Sequence, residues 1–257
     1  MRLLPGPAPA NVIWLDEVDS TNAVAQRLVA EWLANEDERL SETVIVADRQ
    51  SAGRGRDGHV WESPAGGLYA TWLAWLPLRR LATLPMALGV TLGAALEDLV
   101  PGMSVGLKWP NDLQVGGRKL GGVLCESRST GDSAWVIAGF GVNVESDPVL
   151  AAGDPTTPVT LRTLGYTGGA ADAVRFLAVA FLSRIHGALD DPAGTARAWA
   201  DRTVHQPGER MRLRLDTGVV EGSFVRLLED GELELRIRGE LRRFASGELL
   251  ADNEPGG

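Results

Sequence analysis

The apolar positions of the chain recur with two different periods, and together they predict strands mixed with helices. After Ser20, a residue type typical of helix N-termini, apolar side chains recur every four positions at Val24, Leu28 and Trp32, which predicts an amphipathic helix. Further helices are predicted over residues 83–100 and 170–189, with residues 194–200 extending the latter. Apolar runs rich in β-branched or aromatic residues predict strands over residues 11–16, 43–47, 67–76, 104–109, 112–115, 118–127 and 133–144. This mixture of hairpins and helices is typical of an α+β fold.

The pattern changes near Pro207. Residues 210–250 alternate apolar and charged positions, and turn signals interrupt them at Thr217-Gly218, Asp230-Gly231 and Gly239-Glu240. Such alternation predicts four or five short antiparallel strands in a small β-barrel or sandwich. We therefore expect two domains, residues 1–203 forming the α+β part and residues 204–257 forming the small β part.

Composition and charge exclude several broad classes of protein. Hydrophobic residues make up 44% of the 257 residues, which is enough for a packed core and argues against general disorder. The formal net charge of −9 argues against a general binder of nucleic acid or of membrane surfaces. The single cysteine, Cys125, excludes an internal disulfide framework and a multi-cysteine metal site. Together with the lack of a signal-peptide or transmembrane pattern, this predicts a cytoplasmic protein.

The densest chemical signal lies in residues 48–66, a polar and glycine-rich stretch that is predicted to be a long loop. Residues 53–58 match the pattern G-x-G-x-x-G after a predicted strand, as dinucleotide-binding loops do. That reading fails because no helix follows, and because no Asp or Glu occurs between Glu62 and Glu97 to bind a ribose.

A different reading of this loop follows from its arginines. Arg49, Arg54 and Arg56 lie within eight residues and alternate with glycines, which makes a flexible cationic strip. Guanidinium groups match phosphate and carboxylate oxygens, and glycines let backbone N–H groups approach an anion. A mobile loop of this kind can close over an anionic ligand, and the nearby Trp61 can stack on a ring. The alternative is a solvated surface loop that happens to be basic.

Four other polar clusters stand at the ends of predicted elements: Ser20-Thr21-Asn22, Lys108-Trp109-Pro110-Asn111-Asp112, Lys119-Leu120-Gly121-Gly122 and Gly139-Phe140-Gly141-Val142-Asn143. Each has an ordinary structural explanation, namely a helix start, a tight turn, a solvated strand end and a β-bulge. Each is also suited to a ligand, because Lys119 could hold a buried anion and the glycines allow close backbone approach.

Other catalytic or metal-binding motifs find little support in the sequence. The histidines show no metal spacing, and neither a G-x-S-x-G elbow nor a P-loop is present.

Taken together and in this order, these segments resemble the biotin–protein ligases. The resemblance covers most of residues 12–144, and its most specific parts are the loop Gly53-Arg54-Gly55-Arg56 followed by Trp61 and the turn Trp109-Pro110-Asn111-Asp112. It implies a sheet and helices akin to class II aminoacyl-tRNA synthetase cores, followed by a small SH3-like barrel. It also implies a two-step reaction in which biotin and ATP, with Mg²⁺, give biotinyl-5′-AMP. The biotin then passes to one lysine of the carrier domain of a biotin-dependent carboxylase.

The resemblance also implies roles for particular residues. Lys119, Arg54 and Arg56 would be catalytic, because a carboxylate that attacks a phosphate needs cationic cover. Biotin would be bound by Ser20, Thr21, Asn22, Gln50, Gly53, Arg54, Gly55, Arg56, Gly67, Leu68, Tyr69, Lys119, Gly121 and Gly122. ATP and the adenylate would be bound by Arg54, Arg56, Trp61, Asn111, Asp112, Lys119 and Asn143. The magnesium ligands and the oligomeric state are not implied.

Two departures and two alternatives qualify this picture. Barely ten residues precede the first predicted strand, so we expect no DNA-binding module and no role as a transcriptional repressor. Asp57 and His59 make the loop less basic than is usual in the family. Within the same superfamily, the alternative is a lipoate or octanoate ligase or transferase. From another class, the alternative is a non-catalytic biotin-binding module.

Overall fold

The computed structural model describes residues 11–35, 41–145 and 157–250. The start of the first predicted domain, residues 1–10, and the end of the second, residues 251–257, lie outside the described residues. Its larger sheet consists of β1 (Asn11–Val18), β2 (Thr43–Gln50), β3 (Leu68–Pro77), β4 (Gly106–Lys108), β5 (Asp112–Val115), β6 (Arg118–Thr130) and β7 (Ser133–Val142). The helices are α1 (Thr21–Asn35), α2 (Leu84–Leu99), α3 (Ala170–Asp190) and α4 (Pro192–Arg202). Single 3₁₀ turns occupy Arg56–Gly58 and Leu78–Arg80.

The larger sheet is mixed, with the strand order β1-β2-β3-β7-β6-β5-β4. β1 and β2 run parallel and are joined by α1, whereas the remaining neighbours pair antiparallel. Parallel strands need a crossover connection, and their carboxyl ends meet at the same edge of the sheet. The start of α1 at Thr21 therefore lies beside the end of β2 at Gln50, although 29 positions separate the two residues.

Strand alternation divides the larger sheet into two faces. On one face, even-numbered residues of β3 such as Trp72 pack against α2 and α3, and the Trp72 ring meets Phe181 edge-on at 5.7 Å. On the other face, Leu73 and Ile137 pack under α1 against Val29. Beyond the reach of α1, this second face is open, and the candidate site lies there. Within the described ranges, no helix is both long and apolar enough to cross a membrane.

The smaller sheet consists of β8 (Arg210–Leu215), β9 (Gly218–Leu227), β10 (Leu233–Ile237), β11 (Glu240–Phe244) and β12 (Glu248–Leu250). Its order is β11-β10-β9-β8-β12, and its inward residues, among them Leu213, Phe224 and Leu235, are buried. These residues continue the core of the larger sheet rather than forming a separate one. The α+β class is thus confirmed, and a small β unit follows the mixed sheet as expected. The boundary at residues 203 and 204 stays a proposal.

The element boundaries differ from the predictions in two informative places. β2 continues to Gln50, beyond the predicted end at Ala47, because it pairs with β1 as far as Val18 and because Arg49 binds Glu17 at 2.8 Å. α4 is a separate helix and does not extend α3. Pro192 lacks the N–H that a continuing helix needs, and the Asp191 carboxylate caps the new helix by accepting from the Gly194 N–H at 2.9 Å.

Candidate active site

The floor of the site is a patch of glycine on the open face of the larger sheet. The register of β6 and β7 places Gly141 opposite Gly122, and Gly139, two residues earlier, points to the same face. A Cβ atom on Gly141 would lie 2.5 Å from the Trp61 ring, and a Cβ atom on Gly139 would lie 2.3 Å from the Asn22 Oδ1 atom. The glycines of the run Gly-Phe-Gly are therefore required for space, because the ring and the amide lie directly on the backbone.

A buried cluster of neutral polar side chains closes one end of this floor. The Thr21 N–H donates to Gln50 Oε1 at 2.8 Å. Thr71 Oγ1 lies 2.8 Å from Thr21 Oγ1 and 2.7 Å from Asn22 Oδ1. Ser20, Thr21, Asn22 and Thr71 are all nearly inaccessible to solvent. We call these residues and Gln50 the polar cluster. Its partners hold it in one arrangement, which suits a neutral ligand group with both donors and acceptors.

The polar cluster is joined to the base of the glycine–arginine loop. Gln50 Nε2 donates to Ser63 Oγ at 2.9 Å, and Ser63 Oγ donates to the Trp61 carbonyl at 2.8 Å. Gly53 lies where the two ends of the loop meet, and a Cβ atom there would be 2.2 Å from the Trp61 oxygen and 2.5 Å from Ser63 Oγ. Only glycine fits this position, so the first glycine of the motif serves to close the loop.

The loop itself is a small hairpin rather than an irregular coil. Arg54 forms a β-bridge with Val60, and the Gly55 N–H donates to the His59 carbonyl at 2.7 Å. Asp57 adopts the left-handed conformation, with φ of 53°. Between the loop and the sheet lies a cleft of about 500 Å³, lined by Arg54, Gly55, Arg56, Asp57, Gly58, His59, Leu124 and Glu126. The two guanidinium groups have no carboxylate within 4.0 Å among the described residues.

Lys119 stands at the opposite end of the floor. Its Nζ atom binds Asp112 Oδ1 at 2.8 Å, and both side chains are largely buried. The same ammonium lies 5.4 Å from the centre of the Trp61 ring, within reach of a cation–π contact. The buried Trp61 Nε1 has no hydrogen-bond partner among the described residues. The structure thus groups Lys119 with Asp112 and Trp61, whereas Arg54 and Arg56 line the cleft between the loop and the sheet.

The turn that supplies Asp112 is held from two sides. On the sheet side, Asn111 Nδ2 donates to the Val123 carbonyl at 2.8 Å. On the side of the small β unit, the Trp109 N–H donates to His205 Nε2 at 3.2 Å, and the Trp109 indole N–H donates to the Gly231 carbonyl at 3.3 Å. His205 is buried, and burial lowers its pKa, so the ring is neutral and can accept through Nε2.

Two titratable groups near the floor stay protonated. Burial raises the pKa of the Cys125 thiol to about 12, so this cysteine is not a nucleophile at neutral pH. Burial also raises the pKa of Tyr69, whose hydroxyl donates to the Pro64 carbonyl at 2.8 Å. A Cβ atom on Gly67 would lie 2.2 Å from that hydroxyl. Neither the Cys125 thiol nor the Tyr69 hydroxyl is therefore a deprotonated nucleophile at neutral pH.

Some residues of the predicted set play a different part from the one expected. Leu68 belongs to the core on the opposite face of the sheet, because side chains alternate along β3, and this removes its side chain from the site. Asn143 donates from Nδ2 to the carbonyls of Lys119 and Val159, at 3.3 and 3.2 Å. It holds the Lys119 backbone, and its contact with a nucleotide stays a prediction. Gly121 is needed for space, since a Cβ atom there would lie 2.6 Å from the Gly141 oxygen.

Two polar residues at the site escaped the sequence reading. Thr71 is the one threonine in the apolar strand β3, and Glu126 is the first charge after the apolar part of β6. Glu126 accepts from Asn22 Nδ2 at 2.8 Å and from Gln26 Nε2 at 2.9 Å. The only signal in the sequence is a polar residue within an apolar strand. Which face of the sheet that residue occupies becomes known only once the strand register is known.

Comparison with known proteins connects this geometry with a family. Residues 15–143 match the model of the Biotin/lipoate A/B protein ligase family. The chain is 35% identical to a biotin–[acetyl-CoA-carboxylase] ligase of Paracoccus denitrificans over 86% of this chain and 92% of that protein. It is 33% identical to a bifunctional ligase/repressor of Bacillus subtilis, over 54% of this chain but only 42% of that protein.

Solved structures give the same result. A biotin protein ligase from Aquifex aeolicus, in complex with biotin and ATP, superposes with a TM-score of 0.71 at 30% identity, covering 93% of this chain and 97% of that one. A biotin protein ligase from Leishmania major, in complex with biotinyl-5-AMP, superposes with a TM-score of 0.62 at 25% identity, covering 93% and 100% of the two chains. Both similarities extend through the mixed sheet and the small β unit.

Proposed function

The chain belongs to the Biotin/lipoate A/B protein ligase family, and from this premise we propose that it activates biotin with ATP and transfers it to a protein lysine. One observation supports this most strongly. The neutral polar cluster, the two arginines of the loop and Lys119 all border a single face of the larger sheet. This arrangement suits one molecule with an uncharged polar ring at one end and a carboxylate at the other.

In the first step, a carboxylate oxygen of biotin attacks the α-phosphorus of ATP. A C–O–P bond forms, the bond between the α-phosphorus and the bridging oxygen breaks, and pyrophosphate leaves. Two anions must approach each other, so Arg54, Arg56 and Lys119 lower the barrier by pairing with the carboxylate and phosphate oxygens. Asp112 keeps the Lys119 ammonium in place at 2.8 Å before the substrates meet.

In the second step, the amine of the carrier lysine attacks the acyl carbon of biotinyl-5′-AMP. An amide bond forms, the acyl–oxygen bond to phosphate breaks, and AMP leaves while the attacking nitrogen loses its proton. Closing the loop over the adenylate shields the mixed anhydride from water until the carrier arrives. We propose a biotin carboxyl carrier domain as that partner, in keeping with the name of the similar Paracoccus denitrificans ligase. The chain has a single cysteine and therefore no internal disulfide, which fits our proposal of a cytoplasmic location.

Magnesium enters the proposal only with the nucleotide. The described residues contain no group of three or more His, Cys, Asp or Glu side chains that could hold a metal ion. Mg²⁺ usually binds through phosphate oxygens, waters and one or two carboxylates, so a protein cage is not required. When bound, the ion supplies charge neutralisation at the phosphates. We assign it no protein ligand.

A lipoate or octanoate ligase of the same family is the second candidate. The polar cluster favours biotin over these acids, because an alkyl chain or a dithiolane ring would leave buried hydroxyl and amide groups without partners. A binding module without catalysis is a weaker candidate, because binding biotin alone gives no use for three cations around a phosphate.

A reconstituted reaction tests the proposal. Purified protein, ATP, magnesium, biotin and an apo carrier domain are incubated, and the carrier is read by intact mass. We expect the mass of one biotinyl group on one lysine, and labelled pyrophosphate should exchange into ATP only when biotin is present. If lipoate but not biotin supports pyrophosphate exchange, the substrate is lipoate. If neither acid supports exchange, the protein is a binding module without catalysis.

A further inference from the structure

A chain of hydrogen bonds runs from Glu126 through the polar cluster. The Glu126 carboxylate accepts from Asn22 Nδ2 at 2.8 Å, and Asn22 Oδ1 lies 2.7 Å from Thr71 Oγ1. Thr71 Oγ1 in turn lies 2.8 Å from Thr21 Oγ1. The chain therefore connects a charged group beside the cleft with a hydroxyl at the closed end of the floor.

Counting donors and acceptors gives this chain a direction. An ionised carboxylate only accepts, so the Asn22 amide must turn its NH₂ group toward Glu126 and its oxygen toward Thr71. Asn22 Oδ1 only accepts, so the single hydroxyl hydrogen of Thr71 is committed to it. The single hydroxyl hydrogen of Thr21 is then shared between two internal acceptors, Thr71 Oγ1 at 2.8 Å and Gln50 Oε1 at 3.2 Å.

The direction decides what Thr21 can offer a ligand. Its hydroxyl hydrogen is committed inside the protein, so the remaining lone pair of Thr21 Oγ1 can only accept a hydrogen bond. The Gln50 amide is fixed in a similar way. Its oxygen accepts from the Thr21 N–H and its nitrogen donates to Ser63, which leaves a second N–H of Gln50 as a donor. The closed end thus offers one fixed acceptor and one donor.

We propose that Thr71 and Glu126 are positioning residues that fix this direction and thereby select a ring in which an N–H group adjoins a C=O group. Neither residue has to touch the ring, since both act through Asn22 and Thr21. The inference rests on the proposed function, and it names the residues that would determine the ligand specificity. A ring with oxygen in place of the critical N–H would bring two lone pairs together and be rejected.

Thr71→Val tests the proposal, because valine keeps the shape of threonine and removes its hydroxyl. We expect the Kd for biotin to rise about tenfold or more, with the KM for ATP nearly unchanged. Thr71→Ser, which keeps the hydroxyl, should restore most of the affinity. The matched control is Thr91→Val on α2, since the buried Thr91 hydroxyl has no partner among the described residues and α2 packs on the opposite face of the larger sheet. It should bind biotin like the wild type.

A second measurement reads the direction of the hydrogen bonds. Two biotin analogues, each with one ring N–H replaced by oxygen, are compared with biotin in the wild type, in Thr71→Val and in Glu126→Gln. The wild type should reject one analogue much more strongly than the other. This difference should shrink several-fold in both variants. In Thr71→Val the Thr21 hydrogen keeps only the longer contact with Gln50 Oε1 at 3.2 Å, and in Glu126→Gln the new NH₂ group allows the Asn22 amide to turn over. Glu126→Gln also covers the case in which Thr71→Val fails to fold.

Failure of this inference can be told apart from failure of the proposed function. If the wild type shows biotin-dependent pyrophosphate exchange but Thr71→Val and Glu126→Gln bind biotin and reject the analogues as the wild type does, the positioning role is refuted alone. A loss of affinity that Thr71→Ser shares equally would also refute it, because such a loss reflects packing. If the wild type shows no exchange with biotin, the proposed function itself is wrong.

Discussion

The two ends of the candidate site are built on opposite principles. At the ring end, neutral side chains such as Thr21 and Thr71 are buried and paired with one another. At the phosphate end, Arg54 lies exposed on a hairpin loop, with no carboxylate within 4.0 Å among the described residues. Neutral groups can be buried cheaply once they are hydrogen-bonded, whereas a guanidinium group is costly to bury before an anion pairs with it.

This contrast assigns different tasks to the two ends. In the proposed function, the preorganised ring end selects the acid, so we expect its variants to change the affinity for biotin. In the same proposal, the phosphate end is completed by the bound substrates, so we expect its variants to change adenylate formation and retention. Lys119 is intermediate, because Asp112 holds its charge in place from the protein side. Five predictions follow, in order of decreasing effect.

The largest effect is expected from Lys119→Ala. Loss of one positioned cation at the developing phosphate charge should lower the rate of adenylate formation by about 10²–10³, while the Kd for biotin changes little. Pyrophosphate exchange and calorimetry measure the two quantities. Arg128→Ala, at an exposed cation farther along β6, is the matched control and should retain most of the activity. A variant Lys119→Ala with normal turnover would remove this residue from the chemistry.

The next effect concerns the loop. Arg56→Gly should release biotinyl-5′-AMP about tenfold faster, because a guanidinium that pairs with the adenylate phosphate is lost and the loop becomes more flexible. Rapid dilution with a chase of unlabelled biotin measures the release. Arg79→Gly, at an exposed arginine on the 3₁₀ turn Leu78–Arg80, serves as the control. Retention as tight as in the wild type would show that the loop is not a lid.

A smaller effect is expected where the small β unit supports the phosphate end. His205→Leu leaves the buried Trp109 N–H without its acceptor, which should cost about 1–3 kcal/mol of stability and lower adenylate formation several-fold. Denaturant unfolding and pyrophosphate exchange check the two effects. Normal activity with lowered stability would limit His205 to the fold.

The same residue predicts a pH dependence with a definite sign. Burial lowers the pKa of His205 below its ordinary 6.5, so as the pH falls through 6.5 the unfolded chain binds a proton that the folded chain does not. This contribution to stability is present above pH 6.5 and is lost below it, and His205→Leu should abolish it. Hydrogen bonding to Glu42 raises the pKa of His186, whose contribution has the opposite sign. In His186→Gln, the free energy of unfolding should therefore fall more steeply as the pH is lowered from 7 to 5.

The smallest effect is expected at the contact between the loop and β12. His59 Nε2 lies 3.2 Å from Glu248 Oε1, and Arg214 binds the other carboxylate oxygen at 2.8 Å. His59 is exposed, so the pair is worth at most about 1 kcal/mol and Glu248→Gln should speed adenylate release by less than about fivefold. Glu221→Gln, which also removes an arginine-bound carboxylate from the small sheet, is the control. A tenfold effect of Glu248→Gln alone would make the small β unit a main support of the loop.

The sequence predicted the order of elements well because apolar periodicity and turn residues are local signals. The long apolar runs of β3 and β7 and the apolar periodicity of the helices are readable without any tertiary contact. α4 was misjudged because Asp191 and Pro192 end one helix and begin the next within two residues. The extension of β2 to Gln50 depends on pairing with β1, which no local signal reports.

The site was predictable where residues form a contiguous motif and not where they meet only across strands. Ser20-Thr21-Asn22 and the arginine loop are continuous in the chain, so the sequence alone indicates them as candidates. Thr71 and Glu126 lie on β3 and β6, and only the shared pairing with β7 brings them to one face. The same register places Leu68 on the opposite face, which a motif alone does not show.

A crystal structure with biotin and ATP bound tests the central claim most directly. We expect the biotin ring to contact Thr21 and Gln50, and we expect Arg54, Arg56 and Lys119 all to turn toward the carboxylate and the α-phosphate. If both substrates are bound and these three side chains point into solvent, cationic cover is not how this site joins them.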